Sequence, residues 1–432
     1  MGCTSIKKVS PSRDASVGKE LIKNSLVIAE EFNQICKLHL YKQSLGYGKY
    51  GRVFLAESPE TKTQVAVKAI PKRTSTKSEV MNEVKIISEL DHPNIVKYVK
   101  YYEAKKYSYI LMEYCEGEEL YKRLVENERF TEEEAMRVIE QLLRAVNHCH
   151  YHNVIHSDLK PENIMYSPKG VIKVIDFGLS MKLSESSYEG LAGTPYYIAP
   201  EIIKEGIYTT ACDIWSLGVI MHIILTGYIP VGGKDIPEIF QSIKKFKQPD
   251  YDLKVWRGIS SKAKDLLRRL LTPNYKRRIT AGEALNHSWF SSRKVSSFVK
   301  SENVIEALKK YGDYSEVKKE LLELMVKNAS DKELRECQQV FLELDENKTG
   351  VITSSELEKA LNKKEQQVSK KDIEELIQKI NHKGCITYTK FIAALIAMEK
   401  FSMDEKLHIM YELLKIEGTN VLNTTIDSSI KV

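Results

Sequence analysis

Apolar positions change period several times along this chain. After a polar start, Leu26-Val27-Ile28 is the first compact apolar triplet. Val53-Phe54-Leu55-Ala56 and Val65-Ala66-Val67-Lys68 are short β-rich runs and read as strands. From Lys77 to Leu90 the residues Val80, Val84, Ile87 and Leu90 recur at helical spacing, which predicts a helix with Glu83 on the face beside them. Tyr109-Ile110-Leu111-Met112-Glu113-Tyr114-Cys115 reads as a buried strand, and Val171-Ile172-Lys173-Val174-Ile175 as another short one. Beyond Phe290 the texture turns lysine- and glutamate-rich, and Val304 to Leu308 and Val317 to Val326 place apolar residues at helical spacing. Phe341-Leu342-Glu343-Leu344 leads into a polar loop, and Phe401 to Lys415 reads as a further helix. No apolar run approaches the roughly 18 residues of a membrane span.

Composition narrows this only a little. At 432 residues with a net charge of +6, the chain has room for about two or three domains and no basic run with interleaved aromatics, so nucleic acid is not an expected partner. The seven cysteines are scattered and odd in number, which fits free thiols better than a disulfide framework. His148, Cys149, His150 and His152 are metal-ligand types. They fall where a helix runs into a loop, however, with no second ligand pair at finger spacing. The N-terminus lacks the apolar core of a signal peptide, so a cytosolic location is expected. Met1-Gly2-Cys3-Thr4-Ser5-Ile6-Lys7-Lys8 suggests acylation at Gly2 and Cys3 and a membrane surface as partner, although Ile6 stands where the acceptor pattern has Ser or Thr. A plain polar tail is the alternative.

Chemistry concentrates between His156 and Gly178. Phosphoryl transfer is catalysed mainly by positioning and charge stabilisation. In His156-Ser157-Asp158-Leu159-Lys160-Pro161-Glu162-Asn163, Asp158 can accept a hydroxyl proton and Lys160 can sit against a migrating phosphoryl group. Asn163, with Asp176 of Asp176-Phe177-Gly178, offers hard oxygen ligands to a phosphate-bridging metal. Upstream, Leu45 precedes Gly46-Tyr47-Gly48-Lys49-Tyr50-Gly51-Arg52-Val53, a glycine-rich turn that would by itself serve a dinucleotide site equally well. A strand follows it where a dinucleotide fold would need a helix.

These two motifs in this order resemble the catalytic loop and Asp-Phe-Gly segment of the eukaryotic protein kinases, and the resemblance runs from about Leu38 to Phe290. It implies ATP and Mg2+ as cofactors, with residues 45–53, Ala66, Lys68, Met112, Glu113 and Cys115 around the nucleotide. Lys68 would pair with phosphates, held by Glu83. Asp158 and Lys160 would act at the hydroxyl, and Asn163 and Asp176 on magnesium. Lys160 together with Gly193-Thr194-Pro195-Tyr196-Tyr197 resembles the serine/threonine branch, with Thr194 at the substrate. Glu119 and Glu162 match acidic positions that receive an upstream arginine, which implies basic protein substrates. Ala199-Pro200-Glu201 would close the activation segment, with Arg278 as buried partner of Glu201. Ser157 replaces the family's usual arginine, so control by phosphorylation of Ser184, Ser186, Ser187 or Tyr188 is not expected.

The loop Asp345-Glu346-Asn347-Lys348-Thr349-Gly350-Val351-Ile352-Thr353-Ser354-Ser355-Glu356 resembles an EF-hand calcium loop, with Asp345, Asn347, Thr349, the Val351 carbonyl and Glu356 as ligands. In a second remnant, counted back from Phe391, Lys379 and Lys390 stand where the opening and closing carboxylates belong. Kinase, helical junction and hands in this order resemble the calcium-dependent protein kinases. The expected architecture is α+β: an extension (1–37), a bilobal kinase fold (38–290), a helical autoinhibitory junction (291–330) and an all-α, degenerate EF-hand domain (331–432). Two rivals stay open, a calcium-independent kinase whose hands brace the fold or dock a calmodulin-like chain, and a silent nucleotide-binding scaffold.

Overall fold

The computed structural model describes residues 27–47, 51–59, 62–167, 169–183, 193–292, 301–329, 331–362 and 369–397. Gly2, Cys3, Gly48, Lys49, Tyr50, the four activation-segment hydroxyl residues and the helix expected over 401–415 lie outside them.

A first helix, α1 (residues 27–35), precedes β1 (His39–Tyr47), β2 (Arg52–Glu57) and β3 (Gln64–Pro71). Helix α2 (Lys77–Glu89) then leads to β4 (Tyr98–Glu103) and β5 (Tyr107–Glu113). The strands form an antiparallel sheet in the order β1-β2-β3-β5-β4. Its central strand β3 is buried on both faces, as the apolar residues on either side of Lys68 dictate. One face packs on Val80, Val84 and Ile87 of α2. The other, carrying Phe54, Val67, Tyr109 and Leu111, is covered by Ile28 and Phe32 of α1. The helix lies within the stretch assigned to the extension. Tyr109 fastens it by donating to the Ile28 carbonyl at 3.1 Å.

The second lobe is helical. It contains β6 (Glu118–Glu119), α3 (Leu120–Asn127), α4 (Glu132–Tyr151), β7 (Val154–Ile155), β8 (Ile164–Tyr166), β9 (Ile172–Val174) and β10 (Met181–Lys182). Helices α5 (Pro200–Glu205), α6 (Thr210–Thr226), α7 (Ile236–Lys245), α8 (Ser261–Leu270) and α9 (Ala281–Leu285) complete it. Helix α6 is apolar all round and buried over nearly its whole length, so it forms the axis of this lobe. Helix α4 starts on a capping box, in which Thr131 and Glu134 satisfy each other's backbone amides.

The third unit holds α10 (Ser301–Gly312), α11 (Glu316–Asn328), α12 (Asp331–Leu344), β11 (Val351–Ile352), α13 (Ser354–Asn362), α14 (Lys370–Ile380), β12 (Ile386–Thr387) and α15 (Tyr388–Ile396). Val304, Leu308, Leu322 and Val326 of α10 and α11 share one core with Phe341, Ile377 and Phe391. The two helices expected to be autoinhibitory therefore spend their apolar faces on the hand pair. At its end α11 reaches the first lobe, where Lys97 Nζ donates to the Val326 carbonyl at 3.1 Å. Among the described residues no helix is long and apolar enough to cross a membrane.

Candidate active site

Strand β3 carries Lys68 into the cleft between the lobes, opposite Val53 on β2 and Ile110 on β5. Its ammonium lies 2.5 Å from Glu83 Oε1 and 2.9 Å from Asp176 Oδ1. Burial opposes the charge on Lys68, but Asp176 and Glu83 together hold its pKa above the ordinary lysine value. Burial likewise works against ionising Asp176, and Lys68 outweighs it, so that the carboxyl sits at about 2. Glu83 is pushed up by burial. The helix bearing Glu83 is tied to the segment after Asp176 at two points. Asn82 Nδ2 donates to the Ser180 carbonyl at 3.1 Å, and Lys182 Nζ pairs with Glu89.

Asp213 at the start of α6 organises the loop below. Its carboxylate accepts the amides of His156 and Ser157 at 3.0 and 2.9 Å, and His150 Nε2 lies 2.9 Å away. Ser157 takes φ +69° there, a costly conformation that this anchoring sustains. Asp158, held on that loop, accepts from Lys160 Nζ at 2.7 Å on one oxygen and from the Thr194 hydroxyl at 2.8 Å on the other. Asn163 Nδ2 donates to the Asp158 carbonyl at 2.8 Å, which aims the amide. The sequence motifs alone do not give Asp213 this task. An acidic residue leading an otherwise apolar helix was the available signal.

A cavity of about 430 Å3 joins these groups. Leu45, Gly46, Val53, Ala66, Lys68, Met112, Glu113, Cys115, Asn163 and Asp176 line it, whereas Gly51 and Arg52 do not, and Val96, Met165 and Ile175 add apolar walls. Among the described residues none of α10 or α11 lines it. The Glu113 amide is used on the Lys97 carbonyl at 2.9 Å and its carboxylate pairs with Lys173, so of its main chain only the carbonyl is offered to a ligand. Gly51 backs onto β3, where a Cβ would lie 2.3 Å from the Ala69 carbonyl oxygen. Glu119 and Glu162 line the outer end of the cavity. Burial pushes both carboxyls up, Glu162 adds to the effect at Glu119, and Glu162 Oε2 has no partner among the described residues. Two poorly paired carboxylates beside a cleft favour a cationic visitor.

The calcium-type loop is folded. Asp345 accepts from the amides of Thr349 at 2.9 Å and Gly350 at 2.8 Å, and Gly350 takes φ +76° at the sharp turn. The Thr349 hydroxyl lies 3.4 Å from the Val351 carbonyl and 3.5 Å from Asp345, so three of the five expected ligand positions converge. Glu356 closes the loop by accepting from Asn347 N at 2.9 Å, and its other oxygen caps α13 through Thr353. Burial pushes Asp345 up to about 6, with Glu356 adding to it, as befits a carboxylate that a cation would relieve. Among the described residues no three His, Cys, Asp or Glu side chains cluster for a metal. A cation here would draw on Asp345, Glu356 and neutral oxygens, a set that fits calcium with weak affinity.

The same loop rests on the second lobe. Asn147 Nδ2 donates to the Lys348 carbonyl at 2.6 Å, and Lys348 Nζ donates to the Leu285 carbonyl at the end of α9 at 2.7 Å. His148 accepts the Asp91 amide on Nε2 and so donates from Nδ1 to the Thr349 carbonyl at 2.7 Å. Cys149 is core, and His150 belongs to Asp213. His152 caps the end of α4, its amide donating to the His148 and Cys149 carbonyls, so the four metal-type residues serve separate structural roles.

Comparison with known proteins agrees with this geometry. Residues 40–290 match the protein kinase domain model, and 334–396 the EF-hand domain pair. Calcium-dependent protein kinase 5 of Plasmodium falciparum is 33% identical over 426 residues, covering 96% of this chain and 74% of that protein. Calcium-dependent protein kinase 3 of Plasmodium yoelii yoelii is 36% identical over 399 residues, 89% of this chain and 73% of its own length. Calcium-dependent protein kinase 27 of Arabidopsis thaliana is 33% identical over 425 residues, 95% and 84% respectively.

Proposed function

The chain belongs to the calcium-dependent protein kinases within the protein kinase family, and from that membership we propose a calcium-regulated enzyme that moves the γ-phosphoryl group of ATP to serine or threonine hydroxyls of proteins with upstream basic residues. The observation that carries this reading is that Lys68, Asn163 and Asp176 line one cavity, with Lys68 held charged by Glu83 and Asp176 and with Asp158 hydrogen-bonded to Asn163.

Lys68 binds the α- and β-phosphates, and Glu83 keeps its ammonium from collapsing wholly onto Asp176. Asn163 and Asp176 would hold magnesium, which neutralises phosphate charge when bound. The substrate hydroxyl takes the place of Thr194 on Asp158, so that Asp158 receives its proton as the oxygen attacks the γ-phosphorus and the bond to the β,γ-bridging oxygen breaks to release ADP. Lys160 holds Asp158 in place through its 2.7 Å contact and would reach the transferring oxygens. Main-chain groups of Glu113 and Cys115 orient the base, behind which Met112 is 4% exposed.

Transfer of labelled phosphate to an Arg-x-x-Ser peptide, followed across free calcium, tests the whole reading. With Glu119→Gln/Glu162→Gln, KM for that peptide is expected to rise roughly tenfold at unchanged kcat, because the pair contributes ground-state binding only. An equal loss on a peptide lacking the arginine would remove the basic-substrate assignment.

Calcium is proposed to act at the first hand. Glu356→Gln removes one of the two carboxylates at ligand positions of that loop, so the calcium concentration for half-activation is expected to rise by at least about tenfold. Activity indifferent to calcium in both proteins would instead make the hands a brace or a dock for a calmodulin-like chain. Attachment of Gly2 and Cys3 to a membrane surface is proposed on the N-terminal sequence alone.

A further inference from the structure

Strand pairing fixes the numbering of the second hand. Ile352, eighth in the first loop, lies opposite Ile386, so the first and twelfth positions of the second loop are Lys379 and Lys390. Each would be a carboxylate in a calcium loop. Neither lysine is idle. Lys390 Nζ lies 3.0 Å from Glu323 Oε1 on α11, with the two side chains 23% and 22% exposed. The same oxygen accepts the hydroxyl of fully buried Tyr311 at 2.9 Å. From α11, Lys319, 4% exposed, donates to the Lys379 carbonyl at 2.8 Å. Inside the loop, Asn381 at the third position donates its amide to the Cys385 carbonyl at the seventh, 2.8 Å away. That carbonyl would face the metal in a calcium loop.

We propose that the second hand is a cation site filled by the chain itself, in which the Lys390 ammonium and the Asn381 amide stand in for calcium and fasten α11 to the hand at every calcium concentration. A metal loop is held together by drawing carboxylate and carbonyl oxygens onto one positive centre. Here the polarity is reversed. The positive group is tethered in the loop, its carboxylate sits on α11, and the ligating carbonyl is already bonded. The junction helices therefore stay attached to the second hand when calcium leaves, and any calcium response comes from the first hand alone. This holds whether or not the first hand binds calcium, and the two are read separately.

The test is hydrogen exchange of the α11 amides in the full chain, in chelator and in saturating calcium, with calcium stoichiometry from calorimetry. In the wild type, α11 exchange is expected to differ by less than about twofold between the two conditions. Glu323→Gln, which is isosteric, is expected to speed calcium-free exchange in α11 roughly tenfold. Lys379→Asp/Lys390→Glu restores the opening and closing carboxylates. It should loosen α11 in chelator, regain protection with calcium, and take up one calcium more than the wild type. The proposal is overturned if wild-type α11 loses protection on chelation, if the wild-type second hand takes calcium, or if Glu323→Gln leaves α11 exchange unchanged. Should the double variant not fold, the wild type and Glu323→Gln decide.

Discussion

Asp158→Asn is expected to lower kcat by about 10³-fold, the range of a lost general base, while KM for ATP changes by less than about threefold. The separation follows from where the residue sits. Asp158 takes its hydrogen bonds from Lys160 and Thr194 at the outer side of the site, whereas the phosphate-binding charge is Lys68, paired with Glu83 and Asp176. Asparagine keeps the shape, and its carbonyl can still accept from Thr194, so nucleotide binding and fold are retained. What it lacks is the capacity to take a proton. Steady-state kinetics with a basic peptide, alongside nucleotide binding measured without peptide, checks this. A parallel loss of ATP binding would place Asp158 in the structural support of the nucleotide site, and a variant of undiminished kcat would end its assignment as base.

Much of this site was legible because its parts are short motifs whose residue types are dictated by chemistry. Lys68 and Glu83 lie 15 positions apart, and the kinase resemblance was what singled out Glu83 from Glu79 and Glu89 on the same helix. The lysines of the second hand could be counted back from Phe391, and the β11–β12 register gives the same count. Other features left no trace in periodicity. Apolar spacing tells that a face is buried but not what covers it, so the pattern of α10 and α11 fitted equally well a junction lying on the catalytic lobe and one lying on the hands. The docking of the first calcium loop was invisible for a related reason. It rests on single polar contacts such as Asn147 to the Lys348 carbonyl, 201 residues apart, and main-chain acceptors carry no residue signature. The histidine run around position 148 has metal-ligand residue types without a second ligand pair at finger spacing, and in the fold His148 and His150 serve Asp91, Thr349 and Asp213 separately.

The catalytic lobe also rests on one ion pair far from the chemistry, and Arg278→Met is expected to destabilise that lobe by about 3–5 kcal/mol. Arg278 binds Glu201 through both ends of its guanidinium at 2.6 and 2.8 Å, and the two side chains are 0% and 1% exposed. It also donates to the carbonyls of Ala211 and Thr272 and lies over the Trp215 ring. A buried pair of this kind adds little net stability over an apolar replacement, because desolvating both charges cancels most of their attraction. Removing one partner is different: Glu201 is then left ionised in a dry site, or must take up a proton to stay there. Glu201→Met/Arg278→Met is accordingly expected to recover a large part of what the single change loses, with a coupling of about 2–3 kcal/mol in the double-mutant cycle. All three tryptophans, Trp215, Trp256 and Trp289, lie in this lobe, so intrinsic fluorescence during urea unfolding reports on it directly. The pair anchors the start of α5, just after the turn that carries Thr194 and Tyr197, so the Arg278→Met protein should also bind peptide more weakly at urea concentrations well below its midpoint. A single change costing less than about 1 kcal/mol would mean that water or a neighbouring donor reaches Glu201 and that the pair is no keystone of the lobe.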